Sequence, residues 1–406
     1  MPSNPKIFFI INFTLFYMKK KITEFIHKET NRSVLQETSL PLYLTSGYVY
    51  NSAQEAAEVF DEKKDRYQYS RFNNPTVNQL EKKFAELEGA ESCRAFSSGM
   101  AAVFASLMCQ IKKGDRVVAS RALFGSCYNI IKDILPKYGI EVVFIDGKNL
   151  KQWENAINKK TSCIFFETPS NPTLEIVDIE SVSEIAHRYN AKVIVDNVFA
   201  SSVLQKPLNY GADIVVYSTT KHIDGQGRTM GGLLLSSKKF YEEKLKFFYR
   251  NTGPTMDTFT AWILLKSLET YPLRIEHLCK NASRVAFFLK DHPKIQKTIF
   301  PGLAEFPQKK LVKKQMDGFG NMISFYIKGN KNTTFKFLNN LSLIIISNNL
   351  GDVKSLIIHP ASTTHLKILK KDKNFLNINN KLVRLSVGLE NVEDIIKDID
   401  LALKKV

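Results

Sequence analysis

Lys221 lies in Tyr217-Ser-Thr-Thr-Lys-His222, directly after the apolar run Asp213-Ile-Val-Val and before the glycine-rich Gly225-Gln-Gly-Arg-Thr-Met-Gly-Gly232. A lysine so placed can form an imine with an aldehyde, and the hydroxyls of Ser218 and Thr220 can hold an anion beside it. Asp196 closes a second apolar run, Ala191-Lys-Val-Ile-Val-Asp196, where a fixed carboxylate could keep a heteroaromatic nitrogen protonated. Ser97-Ser-Gly-Met100 opens a stretch of good helix formers, and such a start presents free N–H groups and a positive dipole end to a phosphate. Taken singly, these read as a surface lysine, a turn-capping acid and an ordinary helix N-cap. Together they supply what one cofactor, pyridoxal 5'-phosphate, demands: an amine, an acid for the ring nitrogen and a phosphate cup.

The elements that must position these groups are legible as short apolar runs alternating with helix-like stretches. Residues 116–120, 141–145, 162–166, 192–196, 213–217 and 232–236 are the strand candidates, and Ile179–Tyr189 has helical spacing. That alternation predicts an α/β domain over 73–266 with a mainly parallel sheet covered by helices, its crevice at the carboxyl ends of the strands. A smaller α+β domain is expected over 267–406, with Met322–Ile327 and Leu382–Ser386 as strands. Residues 1–72 lack a sustained period and read as an N-terminal arm. Within it, residues 6–17 are apolar but shorter than the roughly 20 residues that span a bilayer, and no small-residue cleavage site follows.

The 406 residues can bury a large core in two domains, and 44% hydrophobic with 24% charged residues is ordinary for a soluble enzyme. The five cysteines, at 93, 109, 127, 163 and 279, form no CxxC pair, so neither a disulfide framework nor a zinc site is indicated. No HExxH occurs, and His359 and His365 have no acidic or cysteine partners nearby in the sequence, so no metal is expected. A reducing cytoplasm is the simplest home. The formal charge of +17 is spread along the chain without a basic arm or aromatic-interleaved block, which argues against nucleic acid or membrane as partner. A positive field suits an anionic cofactor and a dicarboxylic substrate.

Five blocks then stand in the order of a known family: Tyr69-Ser-Arg71 with Asn74-Pro-Thr76, Glu167-Thr-Pro-Ser-Asn-Pro-Thr173, Asp196-Asn197, Ser218-Thr-Thr-Lys221, and Arg384-Leu-Ser-Val-Gly-Leu-Glu390. From about residue 30 onward the chain resembles the Cys/Met-metabolism family of pyridoxal-phosphate enzymes, which includes cystathionine γ-synthase, methionine γ-lyase and the homoserine-ester sulfhydrylases. Residues 1–17 are expected to be a mis-called extension, with translation starting at Met18, because the resemblance has nothing that corresponds to them. The resemblance implies a fold-type I transferase in which Lys221 carries the cofactor and moves protons, and Asp196 pairs with the ring nitrogen. It implies a phosphate cup from Ser98, the backbone of Gly99 and Met100, Ser218 and Thr220. Tyr69 and Arg71 would reach the phosphate of a neighbouring subunit in a dimer, two dimers forming a homotetramer. Arg384, with Asn171 and Asn349, would hold the substrate. Where most members stack a tyrosine on the ring, Phe124 stands here, which keeps the stacking and removes a hydroxyl proton relay. Val198 replaces a threonine and Asn349 a serine.

Four further blocks, residues 121–127, 196–200, 221–228 and 347–352, resemble the members that act on O-succinylhomoserine. They imply homoserine ester and sulfide as substrates, with homocysteine and succinate as products in methionine biosynthesis. Cystathionine γ-synthase, O-acetylhomoserine sulfhydrylase and, further off, methionine γ-lyase activities are the alternatives. A basic binding protein that has lost catalysis is the alternative outside enzymes.

Overall fold

The structure is a computed structural model that describes residues 22–28 and 32–406, so the expected extension 1–17 lies outside the described residues. Seven strands form the large sheet: β1 (Ser92–Phe96), β2 (Arg116–Ser120), β3 (Glu141–Ile145), β4 (Thr161–Glu167), β5 (Lys192–Asp196), β6 (Ile214–Ser218) and β7 (Gly232–Ser236). Their spatial order is β1-β7-β6-β5-β4-β2-β3, and only β7 runs against its neighbours. The central strands are apolar runs because both of their faces are covered. Val193 and Val195 enter one core cluster while Ile194 enters the other, and Val215 and Val216 divide the same way. This is the mainly parallel sheet the alternation predicts.

Helices begin where the local chemistry allows. The helix α1 (Ala53–Phe60) is capped by Ser52, whose side chain accepts the Glu55 N–H. It lies inside the segment read as an aperiodic arm, where its two buried residues, Glu55 and Val59, are too few to show a period. The helix α2 (Pro75–Glu88) starts with Asn74 accepting from the Thr76 N–H and Pro75 at its first turn, and ends on Gly89 at φ 75°. The helix α3 (Gly99–Met108) follows β1, α4 (Ile179–His187) precedes β5, and α5 (Thr258–Leu268) closes this part of the chain.

A 21-residue helix, α6 (Tyr271–Asp291), joins the two sheets. Its first half places Tyr271, Ile275 and Leu278 in the core of the large sheet, and its second half places Ala282, Val285, Ala286 and Leu289 in another core. That second core is built on β8 (Ile295–Ile299), β9 (Met322–Ile327), β10 (Ile345–Ile346), β11 (Leu356–Ile358) and β12 (Leu382–Ser386), in the order β10-β11-β12-β9-β8. The amphipathic α7 (Val392–Lys404) covers it through Ile395, Ile399, Ala402 and Leu403. No helix among the described residues is long and apolar enough to cross a membrane.

Candidate active site

Three neighbouring strands end side by side. Glu167 closes β4, Asp196 closes β5 and Ser218 closes β6, with Glu167 directly opposite Asp196 in the parallel register. Lys221 follows β6 by three residues. Its loop is held at both edges: the Thr219 N–H donates to Gly231 O, and Arg274 donates to His222 O (2.8 Å) and Ile223 O (2.9 Å). Gly225, at φ 68°, lies against the Arg274 guanidinium where a Cβ would collide with it. His222 lies with its ring nitrogens against Val198 O (3.1 Å) and Asn321 Oδ1 (2.7 Å), and burial lowers its pKa to about 4.

These strand ends open into a cavity of about 450 Å³. Asp196, Phe124, Ser218, Thr220 and Lys221 line it, with Ser98, Gly99 and Met100 from the start of α3 and Asn171 and Arg384 from the far side. Asn349 joins them by accepting a hydrogen bond from Lys221 Nζ at 2.6 Å. Tyr69 and Arg71 do not line this cavity. Arg71 lies over the rings of Phe72 and Tyr69 and donates to Arg250 O within its own chain.

The electrostatics follow from burial. The Lys221 ammonium is desolvated and faces Arg384, which lowers its pKa to about 8. Asp196 is pushed up to about 7 by burial, although the Val198 N–H donates to it at 3.1 Å. Glu167 is raised well above the carboxylate range by burial and by the nearby Asp196 charge. Arg384 is 2% exposed and forms no ion pair with a described residue. Its hydrogen bonds all go to neutral oxygens: Asn171 Oδ1 (3.3 Å), Asn348 O (3.0 Å) and Asn349 O (3.1 Å). Its Nε is buried without a partner, and burial lowers its pKa to about 10.

This donor set fits pyridoxal phosphate. The first N–H groups of α3 lack intrahelical partners, and Ser98 Oγ caps only the Ala101 N–H (3.1 Å). Gly99 packs so closely on β6 that a Cβ would sit 2.7 Å from Ser218 Cβ, which seats the helix start against Ser218. An anion cup, an amine, an acid at the strand end and an unpaired buried guanidinium thus face one space.

Glu167, Cys127 and Asn348 also belong to this site and were not assigned from the sequence. Glu167 and Cys127 lie within quoted blocks, but only the strand register sets Glu167 beside Asp196, and only the fold brings Cys127 to them. Among the described residues, Cys127, Glu167 and Asp196 place donor atoms within 4.8 Å of one another, a cluster that sequence spacing does not reveal. Burial raises the Cys127 thiol far above its ordinary range.

The family model described as Cys/Met metabolism PLP-dependent enzyme matches residues 22–404. The chain belongs to that family. It is 47% identical to an O-succinylhomoserine sulfhydrylase of Mycobacterium tuberculosis over 92% of this chain and 93% of the other. An L-methionine gamma-lyase of Fusobacterium nucleatum is 42% identical over 95% of this chain and 98% of its own. A Campylobacter jejuni structure, of a candidate O-acetylhomoserine (thiol)-lyase carrying a pyridoxyl-lysine, superposes with a TM-score of 0.90. That match has 32% identity and covers 95% of this chain and 99% of that one. The chain is therefore a fold-type I, pyridoxal-phosphate-dependent enzyme of Cys/Met metabolism, and the expectations of family, fold class and cofactor are borne out.

Proposed function

We propose that the enzyme replaces the γ-ester of O-succinylhomoserine with sulfide, giving homocysteine and succinate. The observation that carries this reading is the shared cavity of Lys221 and Arg384, with a proton-accepting amine beside a buried guanidinium that has no carboxylate of its own. The 47% identical sulfhydrylase and the phenyl ring of Phe124 support the substrate choice.

Ser98, the Gly99 and Met100 amides and the Ser218 and Thr220 hydroxyls would hold the cofactor phosphate, Asp196 the ring nitrogen, and Phe124 the ring face. Once bound, pyridoxal phosphate supplies an aldehyde for imine formation with an amino acid and a ring that withdraws electrons from its Cα. Arg384 takes the substrate α-carboxylate, with Asn171 fixing the guanidinium on one side and the Asn348 and Asn349 carbonyls on the other. Lys221, lowered toward neutrality, takes the Cα proton, and Asn349 Oδ1 orients the amine while it does so. Over the whole reaction Lys221 returns the Cα proton to carbon, the Cγ–O bond breaks with its electron pair leaving on succinate, and hydrosulfide forms the new C–S bond at Cγ.

We further propose a homotetramer of dimers in which Tyr69 and Arg71 serve the partner's phosphate cup. Their position away from the cavity of their own chain supports this. The domain limits 73–266 and 267–406 are taken as proposed from the sequence, with α6 reaching into both cores. A cytoplasmic setting is consistent with five free cysteines. To test the reading, purified protein is given O-succinyl- or O-acetylhomoserine with sulfide or cysteine. Homocysteine from the succinyl ester should dominate. Preference for cysteine means a cystathionine γ-synthase, preference for the acetyl ester a different sulfhydrylase, and ammonia release from methionine a γ-lyase. A protein that takes up no pyridoxal phosphate is the catalytically dead basic binding protein.

A further inference from the structure

Two loops at the cavity meet on one side chain. The Phe124 N–H donates to Glu167 Oε1 at 2.6 Å, and the Asn171 N–H donates to Glu167 Oε2 at 3.3 Å. Phe124 bears the ring that faces the cavity, and Asn171 Oδ1 accepts from Arg384. Glu167 is 4% exposed, at the end of β4 and in register with Asp196 on β5. His365 also touches both loops, at the Asn171 carbonyl (3.2 Å) and the Leu123 backbone, but it is Glu167 that takes the Phe124 and Asn171 N–H groups.

We propose that Glu167 is a positioning residue that sets the ring-facing side and the substrate-clamping side of the cavity in one fixed relation, through Phe124 and Asn171. The inference rests on the reading of Arg384 and Asn171 as the carboxylate clamp. Each carboxyl oxygen serves one N–H group, and each retains an acceptor lone pair whether or not the group carries a proton. The arrangement therefore holds although burial and Asp196 favour the protonated form. Only a side chain with two acceptor oxygens of this reach can serve both loops. Glutamine has one, and its amide would turn an N–H toward an N–H. Aspartate keeps two acceptors but is a methylene too short to span both.

The test compares Glu167→Gln, and Glu167→Asp should the first not fold, with the native enzyme. In the cofactor-loaded enzyme, KM for the amino-acid substrate should rise about tenfold, through misplacement of Asn171 against the Arg384 guanidinium, while bound cofactor is retained by absorbance. In Asn171→Ala the same substitution should add little further, because Glu167 acts through Asn171. In the cofactor-free protein, backbone hydrogen exchange should accelerate in both segments, 121–128 and 168–176. Unchanged exchange in either segment overturns the proposal. So do an unchanged KM, KM effects that multiply in the double variant, or a fall in kcat and cofactor content with KM constant. Should the native protein bind no pyridoxal phosphate, the functional reading fails while the exchange measurement still decides the tether.

Discussion

Lys221 and Arg384 share one low-dielectric space, and each shapes the other's chemistry. The guanidinium and the loss of water together make the neutral amine accessible near pH 8 rather than near its ordinary 10.5. A lowered amine pKa means that the nucleophilic form grows as pH rises and is complete above that value. Uptake of pyridoxal phosphate by the cofactor-free protein should accelerate through about pH 8 and then level off, followed by absorbance. A rate still climbing at pH 10 contradicts the assignment. Lys221→Ala should abolish turnover and remove the borohydride-fixed label, and homocysteine formation at near-native rate sinks the role. Arg384→Lys substitutes a point charge that cannot reach Asn171, Asn348 and Asn349 together. KM should rise at least about thirtyfold, since breaking a buried hydrogen-bonded charge contact costs about 2–5 kcal/mol. Saturation kinetics at native kcat would check it.

At the scale of elements, the start of α3 is the most constrained point. Gly99→Ala would force a Cβ to 2.7 Å from Ser218 Cβ and 3.0 Å from Ser218 Cα, so the helix start must retreat from β6. Overpacking of this kind costs about 1–3 kcal/mol, and the phosphate cup would widen with it. We expect a lower Tm and a weaker cofactor Kd in the same variant, read by thermal melts with and without pyridoxal phosphate. A weaker Kd without the Tm loss would point to another cause. The strands β2, β4, β5 and β6 were legible in the sequence because central parallel strands are apolar on both faces, the edge strand β3 through its run Val142-Val-Phe-Ile145, and the antiparallel β7 because it is buried throughout. The strand β1 was not, because Ser92-Cys-Arg-Ala-Phe96 carries a buried Arg94 whose partner, Glu81, lies on α2. The two-residue β10, the three-residue β11 and the half-exposed β8 fall below what periodicity can detect. The site shows the same division. Lys221, Asp196 and the Ser98–Gly99 turn announce themselves at strand and helix ends. Glu167 matters through its neighbour on the next strand, and adjacency across a sheet leaves no spacing in the chain.

For the whole molecule, the position of Tyr69 and Arg71 makes oligomer and activity one question. Should the arm serve the partner's cup, Arg71→Ala and Lys221→Ala are each defective, yet a mixed dimer contains one site with neither lesion. Refolding the two variants together in equal amounts should restore about a quarter of native activity, the share set by random pairing in a two-fold assembly. No recovery above either variant alone would place Arg71 within its own subunit's site.

The long α6 carries a lesson for anyone wishing to recombine relatives. Its Tyr271, Ile275 and Leu278 are keyed to one sheet, and its Ala282, Val285, Ala286 and Leu289 to the other. A chimera spliced after Asp291 would leave the second half of that helix facing foreign side chains, and one spliced before Tyr271 would do the same to the first half. The tolerable crossover is the helix midpoint near Cys279, where neither set of contacts is cut, and hybrids joined there should express and fold in better yield than hybrids joined at either end.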